Sequence, residues 1–352
     1  MIAVKAYGAV DKDAALKEMT VNRRDLRDSD VHIDVLYCGV CHSDIHAKNN
    51  DWGNAKYPIV PGHEIIGKVL ETGTSVTGHK VGDLVGVGCM VDSCQTCSAC
   101  KDDLEQFCEN GMTGTYNGKD RIGGAESEHT FGGYSTSIMV REEFVLRIPK
   151  NLDTKAVAPL LCAGITTYSP LKHWKIKKGD KVGVVGLGGL GHMGIKFAHA
   201  MGAETIMITT SPEKAKDAKR LGADGVLIST NDNELKAHIG SFDFILNTVP
   251  VSHDINPYLK LLKRDATMCM VGAIEPLKPM HGGNLIIGRK SVAGSLIGGI
   301  KETQEMLDFC AEHDIVSDVE MINVDDINSA FDRVQNSDVK YRFVIDMQSF
   351  KS

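Results

Sequence analysis

Cys94, Cys97, Cys100 and Cys108 follow the spacing Cys-x2-Cys-x2-Cys-x7-Cys, four thiols within fifteen residues. Between them lie Gln95, Thr96, Ser98 and Ala99, a polar loop in which four merely buried cysteines would be out of place. Four thiolates at this spacing can close a tetrahedral zinc site. With every position held by protein, such a site is structural rather than catalytic. An iron–sulfur cluster is the rival, but the ferredoxin run has a shorter last gap and a following proline, whereas Glu109 follows Cys108.

Three other segments each carry a possible metal ligand. Cys41 lies in Cys38-Gly39-Val40-Cys41-His42-Ser43-Asp44, His63 in Pro61-Gly62-His63-Glu64, and Cys162 in Leu161-Cys162-Ala163-Gly164. Each alone is weak, since single cysteines are more often core residues than ligands. A third chemistry-bearing stretch is Lys181-Val182-Gly183-Val184-Val185-Gly186-Leu187-Gly188-Gly189-Leu190-Gly191. Gly186, Gly188 and Gly191, with Gly189 and Leu190 between them, match the dinucleotide fingerprint. The first glycine permits a tight turn, the second lets backbone approach a pyrophosphate, and the third lets helix pack on strand. A helix N-terminus after the turn offers free N–H groups to that phosphate.

These residues need two kinds of scaffold. The first 150 or so residues alternate short apolar runs with turn signals, as in Val31-His32-Ile33-Asp34-Val35 and Gly67-Lys68-Val69-Leu70. That predicts a mainly β domain with long loops. From about Asp153 helix and strand alternate: a helix over 154–171, the glycine-loop strand, the strand Thr205–Thr209, a helix near 212–221, and strands over 225–228, 242–246 and 267–272. The pattern predicts an α/β, doubly wound parallel sheet, a Rossmann fold. A helix near Glu302–His313 and a strand Arg342–Asp346 follow, and periodicity leaves open which domain the tail joins.

The chain has 352 residues, room for two domains, with 24% charged and 42% hydrophobic residues. A net charge of −7 argues against nucleic-acid or anionic-membrane partners. No apolar run reaches the length of a membrane span and the N-terminus lacks a signal-peptide pattern, so a cytoplasmic protein is expected. In such a chain ten cysteines read as metal ligands or catalytic thiols rather than disulfides. Cys38, Cys89, Cys269 and Cys310, in or beside apolar segments, are expected in the core.

Taken jointly, Gly39-Val40-Cys41-His42-Ser43-Asp44, Gly62-His63-Glu64, the four-cysteine loop, Cys162 and the glycine fingerprint resemble the zinc-dependent medium-chain alcohol dehydrogenases. The closest resemblance is to the cinnamyl alcohol dehydrogenase-like branch and its microbial NADP-dependent aldehyde reductases. It spans nearly the whole chain; only the loops near 51–57 and 111–133 lack a matching pattern. The resemblance implies a GroES-like catalytic domain over 1–152 and 290–352 and a Rossmann domain over 153–289. It implies that Cys41, His63 and Cys162 hold a catalytic zinc with Glu64 close behind, either exchanging onto the metal or salt-bridged beside it. Asp44 then orients His63, and Ser43 and His46 relay the proton. Two thiolates nearly neutralise the dication, which suits a metal that must stabilise an alkoxide without trapping it. The reaction implied is reversible hydride transfer between NADPH and an aromatic or aliphatic aldehyde, giving a primary alcohol.

The fingerprint also bears on the cofactor. NAD-preferring domains usually carry an acid at the end of the second strand, for the ribose 2′-hydroxyl. Here that position is Thr209, followed by Thr210, Ser211, Pro212, Glu213 and Lys214. Hydroxyls and a lysine there favour the 2′-phosphate of NADP(H), while Ser211-Pro212 also reads as a capped helix start. By resemblance Thr166 lies near the nicotinamide, His42 near the pyrophosphate, Val271-Gly272-Ala273 along the carboxamide, and Arg342 against a phosphate. Trp52, Tyr116, Ile297 and Ile300 are candidate pocket residues. A homodimer is the expected assembly. Two alternatives stand: a zinc polyol or secondary-alcohol dehydrogenase, for which an acid at Thr209 would be expected, and a non-enzymatic zinc and nucleotide-binding redox sensor, which would lack the full Cys41, His63 and Cys162 set.

Overall fold

The computed structural model describes residues 1–121, 129–272 and 275–350. The chain forms two compact units, Met1–Cys162 with Gly298–Ser352, and Ala163–Ile297.

The first unit is built on a seven-stranded sheet. Its centre is the eleven-residue strand Asp30–Val40, in which Val31, Ile33 and Val35 are buried at alternate positions. It pairs antiparallel with Ile65–Thr72, with Ser137–Arg141 and with Arg342–Asp346. The tail therefore returns to the first unit: Arg342–Asp346 lies between Asp30–Val40 and the parallel strand Val319–Asn323.

The second unit carries a six-stranded, all-parallel sheet. In spatial order its strands are Gly225–Ile228, Glu204–Thr209, Lys181–Val185, Phe242–Asn247, Leu262–Met270 and Ser291–Gly294. Numbered within the unit this is 3-2-1-4-5-6, the Rossmann order. Its switch point falls between Lys181–Val185 and Phe242–Asn247. Val182, Val184 and Val185 are buried, as expected of a strand covered on both faces.

Four boundaries differ from expectation. The predicted helix over 154–171 is broken at Cys162 into Thr154–Val157, a 3-10 turn Ala158–Leu161, and Ala163–His173. Pro159 opens the 3-10 turn, and Cys162 has left helical backbone, with φ −129°. The segment Thr154–Leu161 packs on the first unit's strands, so that unit runs to Cys162 rather than 152. At the other end, Ser291–Gly294 is the sixth parallel strand, so residues 290–297 belong to the second unit. The apolar run after Met270 is not strand, because the chain turns at Val271 and Gly272.

Candidate metal centres and nucleotide-binding loop

Two adjacent antiparallel strands create the first centre. Asp30–Val40 ends one residue before Cys41, and Ile65–Thr72 begins immediately after His63 and Glu64. Cys38 pairs with Ile65, and the Gly39 N–H donates to the Glu64 carbonyl at 2.9 Å. A ligand just past one strand and a ligand just before its neighbour must then lie close. Cys162 arrives through Leu161, whose carbonyl would stand 3.0 Å from a Cβ on Gly88, so glycine there relieves a tight approach.

The ligating atoms of Cys41, His63, Glu64 and Cys162 all lie within 4.8 Å of one another, every one buried. The Cys41 and Cys162 sulfurs are 3.9 Å apart. Two sulfurs each about 2.3 Å from a tetrahedral zinc stand about 3.8 Å apart. Asp44 is completely buried and accepts from His63 Nδ1 at 3.0 Å, leaving Nε2 as the ligating nitrogen. The site is electron-rich. The Cys41 thiol is held well below its ordinary pKa, first by the hydrogen bond from Cys162 and further by Arg342 and His63, while burial opposes.

Glu64 is also buried, and burial pushes its carboxyl up to about 8 against the pull of Arg342. Glu64 Oε1 accepts from the Arg342 guanidinium, while Oε2 has no hydrogen-bond partner. A Cβ on Gly39 would collide with Oε2, so glycine at 39 admits the carboxylate. Arg342, expected at a cofactor phosphate, is 5% exposed and pairs with Glu64. Two sulfurs, an imidazole nitrogen and an orphaned carboxylate oxygen fit a divalent zinc.

Ser43 and His46 lie one turn apart on the helix His42–Asn49, both half-buried. His46 Nδ1 lies 2.7 Å from Asp51 Oδ2, its ring is 6.1 Å from that of His42 and 5.8 Å from that of Trp52. His42 is exposed. Asp51 escaped sequence reasoning: it lies beyond the helix, and the left-handed Asn50 turns the chain back so that the Asp51 N–H meets the His46 carbonyl. Tyr116, a candidate pocket residue, has its ring 5.6 Å from that of His63. Cys38, Cys269 and Cys310 are core residues as expected. Cys89 is not: it is half-buried, with its thiol at the Leu161 carbonyl beside the centre.

The second centre gathers Cys94, Cys97, Cys100 and Cys108, whose sulfurs lie within 4.8 Å of one another. Cys100 Sγ is 3.9 Å from that of Cys94 and 3.5 Å from that of Cys97, again tetrahedral-edge distances. Backbone N–H groups of Cys97, Cys94 and Glu109 donate to the sulfurs of Cys94, Cys108 and Cys97 at 3.4–3.5 Å. Such donors stabilise thiolates. The Cys94 thiol is lowered to about 5, first by the Asn110 side chain and then by backbone N–H groups. Four sulfurs and no disulfide fit a structural zinc. Glu105 Oε2, from the same lobe, accepts from Ile300 N at 3.0 Å.

In the second unit the fingerprint glycines behave differently from one another. Gly186 has φ +93°, and a Cβ there would lie 2.9 Å from Thr248 Oγ1. A Cβ on Gly191 would collide with the Gly186 carbonyl, so helix and strand touch backbone to backbone. A Cβ built on Gly188 would meet nothing within 4 Å, so that side of the glycine is open to a pyrophosphate. Gly189 and Leu190 lead into the helix Gly191–Ala200. Thr209 is buried and its hydroxyl accepts from Ser211 N at 3.1 Å; Thr210 is exposed and Ser211 half-buried. Lys214 leans back to the glycine loop, its Nζ 3.4 Å from the Leu187 carbonyl. Thr166 is buried in Ala163–His173, Val271 donates its N–H to Asn247, and Gly272 abuts Thr248 so closely that a Cβ would not fit. Ala273, predicted at the carboxamide, lies outside the described residues. Ile297 is buried in this unit, and Ile300 starts the helix Ile300–His313 of the first.

Residues 27–150 match the family of the alcohol dehydrogenase GroES-like domain, and residues 189–312 match the zinc-binding dehydrogenase family. The chain is 56% identical over 345 residues to aldehyde reductase YahK of Escherichia coli, covering 97% of this chain and 98% of that protein. It is 50% identical over 353 residues to NADP-dependent alcohol dehydrogenase C 1 of Mycolicibacterium smegmatis, covering both chains completely. Among solved structures, a Sorghum bicolor cinnamyl alcohol dehydrogenase superposes with TM-score 0.94 at 43% identity, covering 99% of this chain and 98% of that one. The Helicobacter pylori enzyme complexed with NADP(H) gives 0.91 at 42% identity, covering 99% of each chain. The chain therefore belongs to the zinc-binding alcohol dehydrogenases with a GroES-like domain, in their cinnamyl alcohol dehydrogenase-like branch.

Proposed function

We propose that this protein is a zinc-dependent, NADP(H)-linked alcohol dehydrogenase that acts as an aldehyde reductase, interconverting aromatic or aliphatic aldehydes and primary alcohols. The observation that carries the reading is the convergence of Cys41, His63 and Cys162 on one buried point, with Asp44 fixing the imidazole. When bound, zinc supplies Lewis acidity at the carbonyl oxygen and the dihydronicotinamide supplies the hydride.

The chain's own residues do the rest. The Ser43 hydroxyl stands one helical turn before His46 on the helix that follows Cys41 and donates the proton that the new alkoxide requires. His46 replaces that proton. Asp51 accepts from its Nδ1 throughout, so Nε2 is the nitrogen that gives up the proton and takes another from solvent, and the Asp51 carboxylate stabilises the imidazolium between the two events. Lys214, poised over the glycine loop, and the hydroxyls of Thr210 and Ser211 receive the 2′-phosphate, where an acid would repel it. Thr166, Val271 and Gly272 contact the nicotinamide end.

Two further parts of the reading concern setting. Among the described residues nothing pairs with the outer edge of the last parallel strand, Ser291–Gly294, and Ile286 and Ile287 just before it are 81% and 78% exposed. An open edge beside large apolar side chains is a surface to be covered, and a second copy of the chain covers it in a homodimer. Thiolate clusters without disulfides suit a reducing compartment, the cytoplasm. Among the described residues no helix is long and apolar enough to cross a membrane.

The test is absorbance at 340 nm with the purified protein, NADPH or NADH, and cinnamaldehyde, benzaldehyde and butanal. Rapid NADPH oxidation, much slower NADH oxidation and inactivation by a chelator are expected. No turnover of any aldehyde by protein holding two zincs would overturn the reading.

A further inference from the structure

Among the described residues four groups donate to the Asp44 carboxylate within 3.1 Å, two on each oxygen, and the buried Tyr116 phenol faces it as well. Oδ1 accepts from Gly62 N at 3.0 Å and His63 Nδ1 at 3.0 Å; Oδ2 accepts from Cys41 N at 2.9 Å and the Tyr134 hydroxyl at 3.1 Å. A carboxylate has roughly four acceptor sites, so this one is saturated. Two of the donors are backbone groups of the ligand segments themselves: Cys41, and the residue before His63. Asp44 thus binds the two segments to each other as well as orienting the imidazole.

Tyr134 is the only side chain besides His63 among these donors, and it comes from a third segment. Its ring is completely buried, and the strip that carries it is laced to the ligand loop. Gly132 N donates to the Val60 carbonyl at 2.7 Å, Gly133 N to Gly62 at 2.8 Å, and Tyr134 N to Pro61 at 3.0 Å. Gly62 has φ +100°, and a Cβ there would stand 2.7 Å from Tyr134 Cδ1 and 2.8 Å from Cys38 Sγ, so glycine before His63 admits both the turn and this ring. Arg23, buried, braces the strip from behind through the carbonyls of Phe131 and Gly132 and the hydroxyl of Ser135.

We infer that Tyr134 is a positioning residue of the catalytic zinc centre: its hydroxyl holds Asp44, and through Asp44 it holds His63 and the Cys41 backbone in ligating geometry. The inference rests on the proposed reading of Cys41, His63 and Cys162 as a zinc centre. Without the Tyr134 hydroxyl, Oδ2 keeps Cys41 N as its close donor, and a buried carboxylate that has lost a partner can rotate away from the geometry that serves His63. Groups behind a metal ligand typically contribute 10–100-fold to metal affinity.

The test is Tyr134→Phe, which removes one oxygen and keeps the packing. Zinc release from the intact holoenzyme to a chromogenic chelator is followed together with the visible spectrum of the cobalt-substituted protein. The expected result is release of one of two zincs about tenfold faster than in the wild type, with the other zinc and the melting temperature little changed and the cobalt bands shifted. In an Asp44→Asn background, Tyr134→Phe should add nothing to the release rate, because the tyrosine acts through Asp44. Release within twofold of wild type with an unaltered cobalt spectrum would overturn the inference, as would full additivity of the two substitutions. A wild-type protein binding only one zinc would instead overturn the reading of the centre, and this inference with it.

Discussion

Arg342 and Glu64 form a buried ion pair across 278 residues of sequence, joining the C-terminal strand to the residue after His63. Nearly all the exposed surface of both side chains is lost, and Arg342 favours the charged form of Glu64 against burial. Losing it leaves Glu64 either an unpaired charge or a carboxyl that must take up a proton. Breaking such a pair from one side typically costs about 3–5 kcal/mol, because it leaves an uncompensated buried charge. Arg342→Met should lower the unfolding free energy of the zinc-loaded protein by about that amount. Adding Glu64→Gln should restore most of it. Urea titration of the two single variants and the double variant measures the coupling; a double variant no more stable than Arg342→Met would refute it.

Asp51 and His46 make the same kind of statement about the proton route. If Asp51 holds the Nδ1 proton, Asp51→Asn should reduce aldehyde turnover roughly tenfold at neutral pH, and His46→Gln by at least as much. Added imidazole should restore activity to the His46 variant more than to wild type. Unchanged turnover in both variants would remove them from the route.

Lys214→Ala should raise KM for NADPH by about 10–100-fold and leave KM for NADH nearly unchanged, as expected for one hydrogen bond to a charged group of about 1.5–3 kcal/mol. Equal losses for both cofactors would mean that the lysine only braces the Leu187 carbonyl, where it lies in the structure.

Glu105 links the four-cysteine lobe to the start of Ile300–His313, and Gly299 before it admits no Cβ because Asp103 and Glu105 press against it. Lys301 adds an ion pair to Asp103 at 2.7 Å. Glu105→Ala should destabilise the protein by about 1.5–3 kcal/mol while both zincs remain bound. Zinc analysis beside thermal melting separates this from damage to the cysteine site; loss of a zinc would show that Glu105 serves the metal rather than the helix.

Ile287→Asp places a charge on the apolar surface beside the free strand edge. Sedimentation should show a dimer for the parent chain and a monomer, or a dimer at least tenfold weaker, for the variant. A parent chain that sediments as a monomer would refute the assembly.

Spacing made much of this molecule legible. The four cysteines lie within a few turns of chain, so their proximity is a local property. The glycine fingerprint is local as well, since each glycine answers a steric demand within its own strand–turn–helix, and the alternation of apolar strands and helices announced the parallel sheet. The resemblance supplied the long-range set of Cys41, His63 and Cys162. The resemblance also implied the return of the tail to the first unit, which rests on a pairing of Arg342–Asp346 with Asp30–Val40 that no periodicity encodes. Tertiary structure decided the remainder. The break of the 154–171 helix at Cys162 shows only in the folded backbone, and the assignment of Ser291–Gly294 follows from its neighbour in the sheet. Arg342, Tyr134 and Asp51 took their roles from partners 278, 90 and 5 residues away. A buried polar group must be satisfied by whatever the fold brings to it, and only the folded chain shows which donor arrives.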